Sequence, residues 1–485
     1  MSIQNRNIMK KNRINEKVII VIAFVCYIAF NLLGVKVHEH WRDEGQAWMI
    51  AKSLSVGELI KILPGEGHPI LWYLVIMPFA KLGFPYRWFS LISCAIMALA
   101  AWILLKSRLP LWTRVVLLFT PVFSYYNTAM ARSYALIVLE LVLVGAFYLK
   151  RKEKPVLWAG LIILLFQTHM YVAGLAVMLT LQMVYECITI ADKRKEKAVG
   201  IGLIGLNLLF LFKELSGGAS EGVGSVAGEI LSDPLDFFGQ ALFSIHRTLN
   251  AGFDFVSNIY QEIMVNGIII ILIFLIVMSI WKWKENWQEL LIFLGGIGAI
   301  CVIVALIYNG THIQHALVLI GEILLWLWIF YQKTGFSFGD FKPFPIVLKT
   351  VITVFFMGMI LQVGYCSYRD WKLDYSTAKR MAQYLAGSYG ENDVFVISDV
   401  ADSFPNMIAY TDGKLNFVYP DSEEEYTYYK RLSGTDAGMG RILDLKGKNV
   451  YYLYSQKQEN DALELVYEQS NFNLMVENFY LYQKK

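Results

Sequence analysis

The chain has 485 residues, of which 56% are hydrophobic and 17% charged, with a formal net charge of +3. So much apolar sequence exceeds what one soluble core absorbs, and so small a net charge gives no case for nucleic acid as a partner. Of the five cysteines, Cys26, Cys94, Cys187 and Cys301 lie in or against apolar runs and only Cys366 lies near a polar region, which excludes a disulfide framework.

The basic stretch NRNIMKKNRINEK precedes the first apolar run and carries no small-residue cleavage site. It predicts a cytoplasmic N-terminus and an uncleaved first span. Apolar runs follow near 18–36, 87–105, 113–127, 133–149, 156–168, 170–189, 198–213, 264–281, 289–308, 315–331 and 345–364. Lys and Arg collect in the loops 106–114, 150–154, 192–197, 281–287 and 331–342. Placing these loops inside predicts about 11 crossings, with the C-terminus outside. The segment 68–83, HPILWYLVIMPFAKLG, is short and holds Pro69 and Pro78, so it reads as a re-entrant hairpin. All seven histidines (His38, His40, His68, His169, His246, His312, His315) then fall on the external side, as a polar cavity opening outward requires.

The expected organisation is an α-helical polytopic membrane module over 1–364 and a small extracytoplasmic α/β domain over 365–485. External loops cover 37–67 and 214–263. In the second, a Gly/Ser-rich stretch within 214–230 is a candidate lid. DPLDFFGQALFSIHRTLNAGF, with Asp233 as N-cap, reads as an amphipathic helix on the membrane surface. In the tail, STAKRMAQYLAGSYG reads as a helix, DVFVIS and KNVYYLYS as strands, NDALELVYEQS as a helix and LMVENFYLY as a last strand.

Several external segments carry chemistry. HEHWRDEGQAW puts Asp43 at a helix start, either as a cap or as a general base or metal ligand, with Glu44 beside it. GEGHPILWY brings Glu66 and His68 to the hairpin mouth. Arg132 and Tyr134 end a span in YYNTAMARSYAL, and positive charge on the outer side suits an anion, phosphate above all. His169 interrupts an apolar run in FQTHMY. YNGTHIQHAL sets His312 and His315 three apart around Gln314, a spacing compatible with metal or phosphate contact, and NGT (309–311) matches a glycosylation acceptor. No Walker-type loop, dinucleotide fingerprint or nucleophile elbow occurs, so no nucleotide cofactor is expected.

Asp43-Glu44, GHPILWY, ARSYAL and THMY, in that order, resemble the motifs of the GT-C integral-membrane glycosyltransferases. The likeness is to bacterial protein O-mannosyltransferase-like and aminoarabinose transferase-like proteins of glycosyltransferase family 39. It covers about residues 15–190; HIQHAL extends it weakly. Ile70 replaces a second proline, and Gln314 an arginine, which weakens the phosphate role of His315. The resemblance implies an inverting transferase that moves a sugar from a polyprenyl phosphate to a hydroxyl acceptor (glycan, lipid or protein) at the outer face of a bacterial cell membrane. Asp43 would be the base, with Glu44 secondary. Arg132, His68, Tyr134 and His315 would hold the donor phosphate, with Glu66, His169 and Gln314 around the pocket. The resemblance leaves room for a divalent cation, Mg or Mn, at Asp43 and His68, more weakly at His312. The rival readings are a transporter or flippase of lipid-linked sugars, and a polymerase or ligase using diphosphate-linked glycans.

Overall fold

The computed structural model describes residues 3–216, 234–253, 257–307, 312–335, 345–398, 403–420, 424–430, 449–470 and 477–485. Asp233, the stretch 217–230 and the sequence 309–311 lie outside them. Helix α1 (Ile3–Val37) leads into three shorter helices, α2 (Arg42–Ser53), α3 (Val56–Glu66) and α4 (Leu71–Lys81). Then come α5 (Ser90–Leu105), α6 (Leu111–Leu118), α7 (Tyr126–Ala129), α8 (Tyr134–Phe147), α9 (Pro155–Thr168), α10 (Met170–Thr189) and α11 (Arg194–Leu215). The bundle ends with α12 (Pro234–Phe253), α13 (Asn258–Trp281), α14 (Trp283–Ile307), α15 (Ile313–Thr334) and α16 (Pro345–Lys372).

Among the described residues, seven helical segments are long and apolar enough to cross a membrane: those ending at Val37, Leu105, Thr189, Leu215, Trp281, Ala305 and Thr334. Helix α4 has 11 residues, about 16 Å of rise against a hydrocarbon layer of about 30 Å. By itself that length falls short of a straight full span, as does that of α9.

The two ends of the bundle differ in chemistry. At one, Arg151 pairs with Glu186 at 2.7 Å, Lys193 donates to the Glu153 carbonyl, and Lys333 pairs with Glu289 at 2.7 Å. Arg114 donates to the Leu105 carbonyl and pairs with Glu16 at 2.6 Å. The basic loops therefore gather on one face, as their charge predicts. The other end holds the candidate site.

The expected span 113–127 is not one helix. Helix α6 stops at Leu118, and the chain turns past Pro121 into the four-residue α7, with Tyr125 at φ 64°. Irregular backbone in an apolar bundle needs side-chain partners, and α1 supplies them. Tyr27 donates to the Phe123 carbonyl at 2.7 Å, and Asn31 Oδ1 accepts from the Tyr125 amide and the Thr128 hydroxyl. The broken path still runs from Arg114, beside Glu16, to Arg132 at the far end. The helix expected over 233–253 is α12, Pro234–Phe253. It packs on α13, α14 and α15, burying Leu249 and Phe253, with Ser244 donating to the Cys301 carbonyl. One side of the helix thus covers the bundle, while Phe243 on it is exposed.

The tail contains α17 (Ala378–Ser388), β1 (Asp393–Ile397), α18 (Phe404–Tyr410), β2 (Asn416–Val418), β3 (Asn449–Tyr454), β4 (Leu463–Gln469) and β5 (Phe479–Lys484). The sheet order is β2-β1-β3-β5-β4, with the first three parallel and β5 antiparallel to both of its neighbours. The helix expected over NDALELVYEQS is the strand β4. Its register with β5 shifts between Leu465 and Tyr467, and this bulge breaks the two-residue alternation so that the apolar spacing imitates a helix.

The tail has a small buried cluster of its own, with Val394, Val396, Val418, Tyr452 and Tyr482, and shares a second, larger one with the bundle. Trp48, Ile50, Leu59 and Ile76 of α2–α4 cluster with Met381, Phe395, Phe404 and Phe479 in one buried set. Gly45 marks the closest approach. A Cβ there would meet the Asn406 backbone at 2.2 Å, so α2 and α18 contact only because residue 45 has no side chain. Gly45→Ala should force them apart and lower stability by about 1–3 kcal/mol, read as a fall in the thermal unfolding midpoint of the detergent-purified protein.

Candidate functional site

A polar cavity of about 220 Å³ opens at the end of the bundle away from the basic loops. That is many times the space one water needs. Five separate stretches of chain converge on it, one of them through Thr168 at the end of α9. Helix α2 and its approach supply Trp41, Arg42, Asp43 and Gln46; the α3–α4 turn supplies Glu66, His68 and Trp72. The α7–α8 turn supplies Arg132 and Tyr134, and the start of α15 supplies His312, Gln314 and His315.

Asp43 is not the cap of α2. Trp41 holds the N-cap position in extended backbone, φ −120° and ψ 176°, and Asp43 follows in the first helical turn. Its carboxylate pairs with Arg132 through Oδ2, and Arg42 Nε lies 3.6 Å from Oδ1. Arg132 lies 5.8 Å from the Trp41 ring centroid and 5.9 Å from that of Tyr134, so two aromatic faces flank the guanidinium.

The capping role falls to Glu44, which is fully buried and does not line the cavity. One of its oxygens accepts from the Trp41 amide at 3.1 Å, the other from the Ala131 amide at 2.7 Å. His40 Nδ1 lies 3.0 Å from Oε1, and His38 Nε2 lies 3.5 Å from Oε2. Burial alone would raise this carboxyl, but His40 and His38 outweigh it and hold the group well below the usual range. Glu44 thus acts as a pin. It fixes Ala131, and with it the next residue, Arg132, beside its own neighbour Asp43.

His38 completes the network, with Nδ1 2.8 Å from Asp370 at the end of α16. Burial opposes its charge, yet Asp370 and Glu44 prevail and push it up to about 10. His38, His40 and Glu44 form the one His/Cys/Asp/Glu group among the described residues with metal-like spacing. It does not fit a metal, because His40 uses Nδ1 on Glu44 and Nε2 on the Tyr86 carbonyl at 3.1 Å, while His38 is held by two carboxylates. The residues expected to bind a cation, Asp43, His68 and His312, line the cavity but form no such group among the described residues.

His68 follows Gly67, whose φ of 68° ends α3. Behind it stands His169, which does not line the cavity: its ring is 5.1 Å from His68 and 5.1 Å from Tyr134. His169 caps α10, accepting from the Tyr171 amide at 3.3 Å, so Nδ1 is the acceptor and the ring proton sits on Nε2. Burial, then His68, Arg132 and His315, hold its pKa well below 6.5. The ring series continues through Tyr171 to His315 at 4.4 Å and His312 at 5.6 Å. His246 stands apart on α12, bonded to Asn250.

Gln46 ties the cavity to the tail. Its amide nitrogen donates to Glu66 at 3.0 Å and to the Tyr429 carbonyl at 2.8 Å, and its oxygen accepts from the Tyr429 amide at 2.9 Å. Arg42, Gln46 and Trp72 were not singled out from the sequence. Helical spacing from Asp43 would have found Gln46, and Trp72 stands inside the quoted GHPILWY. No protein-family model matches the chain, and no curated protein matches it.

The pinning network should show in pH dependence. His38 is raised in the folded state, so its stabilisation is present below 6.5 and is lost as pH rises towards 10. Glu44 is lowered, so its contribution is present above 4.5 and is lost as pH falls. The unfolding midpoint should therefore fall between pH 6.5 and 10, and His38→Gln should flatten that limb. Glu44→Gln takes one of its two carboxylate partners from the buried His38 and should cost about 3–5 kcal/mol.

Proposed function

We propose that the chain is an inverting glycosyltransferase of the GT-C type. It moves a sugar from a polyprenyl phosphate to a hydroxyl of a cell-envelope glycan, lipid or protein. In this reading the bundle crosses a bacterial cell membrane about 11 times, with the cavity and the tail on the extracytoplasmic side. The observation that carries it is the Asp43–Arg132 pair in a polar cavity at one end of an apolar bundle. A lipid-linked donor keeps its tail in the bilayer and its sugar at that level, which is where a base beside a phosphate-binding cation is needed.

In the reaction the acceptor oxygen attacks the anomeric carbon from the face opposite the phosphate. The bond from carbon to phosphate oxygen breaks, and Asp43 takes the hydroxyl proton. Arg132 offsets the charge growing on the departing phosphate. His68, Tyr134 and His315 would contact the donor, His312 and Gln314 the rim, and Glu66 the acceptor side. Glu44 and His169 hold these groups in place from behind. No step runs through a divalent ion.

Purified protein would be incubated with a panel of polyprenyl-phosphate sugars and membrane extract, following donor loss by mass spectrometry. Asp43→Asn should cut the rate by about 100-fold or more without shifting the unfolding midpoint. Equal turnover by the variant would remove Asp43 from the chemistry. Donor binding without consumption by either protein would favour transport, for which the buried Glu140 and Glu322 of α8 and α15 are the groups to examine.

A further inference from the structure

We propose that Arg42 and Arg132 form a two-guanidinium seat for the donor phosphate, and that Asp43 occupies this seat until the phosphate displaces it. The inference rests on the transferase reading above and deepens it. It adds Arg42 as a binding residue and makes the base available only after the donor has bound.

The geometry has three parts. Each oxygen of Asp43 faces its own guanidinium, Oδ2 towards Arg132 and Oδ1 towards Arg42 at 3.6 Å, and all three side chains line the cavity. A phosphate group offers the same pair of oxygens at similar spacing, and guanidinium recognises both anions through the same forked donors. Asp43 therefore stands in as an internal anion.

The second part is that the cations are held independently of Asp43. Arg42 lies 5.5 Å from the Trp41 ring centroid, and its backbone amide donates to Glu477 at 2.8 Å. Arg132 sits between the Trp41 and Tyr134 rings, and the preceding amide is fixed on Glu44. Loss of the carboxylate leaves both stems where they are.

The third part is the surroundings. The one other carboxylate lining the cavity among the described residues, Glu66, is bonded to Gln46 on the wall shared with the tail. The lining also presents His68, Tyr134 and His315, with His169 behind His68 and Tyr134, and among the described residues it holds no carboxylate besides Asp43 and Glu66.

The consequence is an ordered site. While both oxygens of Asp43 face guanidinium groups, neither is placed to accept a proton from an acceptor hydroxyl. A phosphate that takes over the arginines releases the carboxylate beside the anomeric carbon it has just delivered.

The test measures binding of undecaprenyl phosphate, without sugar, to the full chain in detergent. Removing the competitor should remove the cost of displacing it, so Asp43→Asn should bind about tenfold more tightly than wild type. Asp43→Ser should do the same and serves if the asparagine variant misfolds. Arg42→Gln and Arg132→Gln should each weaken binding about tenfold. In Asp43→Asn/Arg132→Gln the gain should vanish, because the two changes act on one contact.

Aspartate variants that bind no more tightly than wild type overturn the displacement. Wild-type affinity in Arg42→Gln overturns the assignment of Arg42, and no saturable binding to wild type overturns the seat. The transferase reading fails separately. Tighter binding in the aspartate variants, with no turnover of any sugar donor by wild type, keeps the seat and removes the transferase; wild-type turnover without tighter binding in those variants does the reverse.

Discussion

The buried carboxylate of Glu44 is the constraint on which the site depends. It accepts from the Trp41 and Ala131 amides and meets the rings of His38 and His40, so it joins the entry of α2, the α7–α8 turn and, through Asp370, the end of α16. A carboxylate without water is stable only when its lone pairs and charge are met, and here that requirement brings three distant stretches of chain to one point. The Asp43–Arg132 pair is a by-product of this arrangement, since Arg132 follows Ala131, which Glu44 holds, and Asp43 precedes Glu44 itself.

Much of this was legible in the sequence because membrane burial leaves coarse signals. Apolar runs and basic loops predict a polytopic bundle, and the basic loops do gather at one end. Asp43, Glu66, His68, Arg132, Tyr134, His312, Gln314 and His315, chosen as polar residues at the edges of apolar runs, all line one cavity. What the sequence obscured had local causes. The 113–127 run is apolar throughout, but its break is satisfied by Tyr27 and Asn31, nearly a hundred residues earlier. Glu44 and His169 carry the chemistry of site residues, yet depth places them behind the cavity wall, and depth has no one-dimensional signature.

The tail illustrates the same limit. Its helix-and-strand composition was readable, apart from β4, where one bulge turned a strand pattern into a helical one. Its partnership with the membrane module was not. Gly45 looks like an ordinary residue within a helix until the Asn406 backbone lies against it. One buried set joins α2–α4 to the sheet across the division near residue 365, while a smaller set belongs to the tail alone.

That shared packing bears on how the molecule is made. The Arg42 amide bonds to a side chain 435 positions later, and Gln46 waits for Tyr429 across 383. Helix α2 is complete once residue 53 has been added but meets its final neighbours only near the end. Translation through Glu477 therefore precedes any competent cavity, and a chain cut short at the end of the bundle would carry every cavity-lining residue while lacking the frame that holds α2 against them.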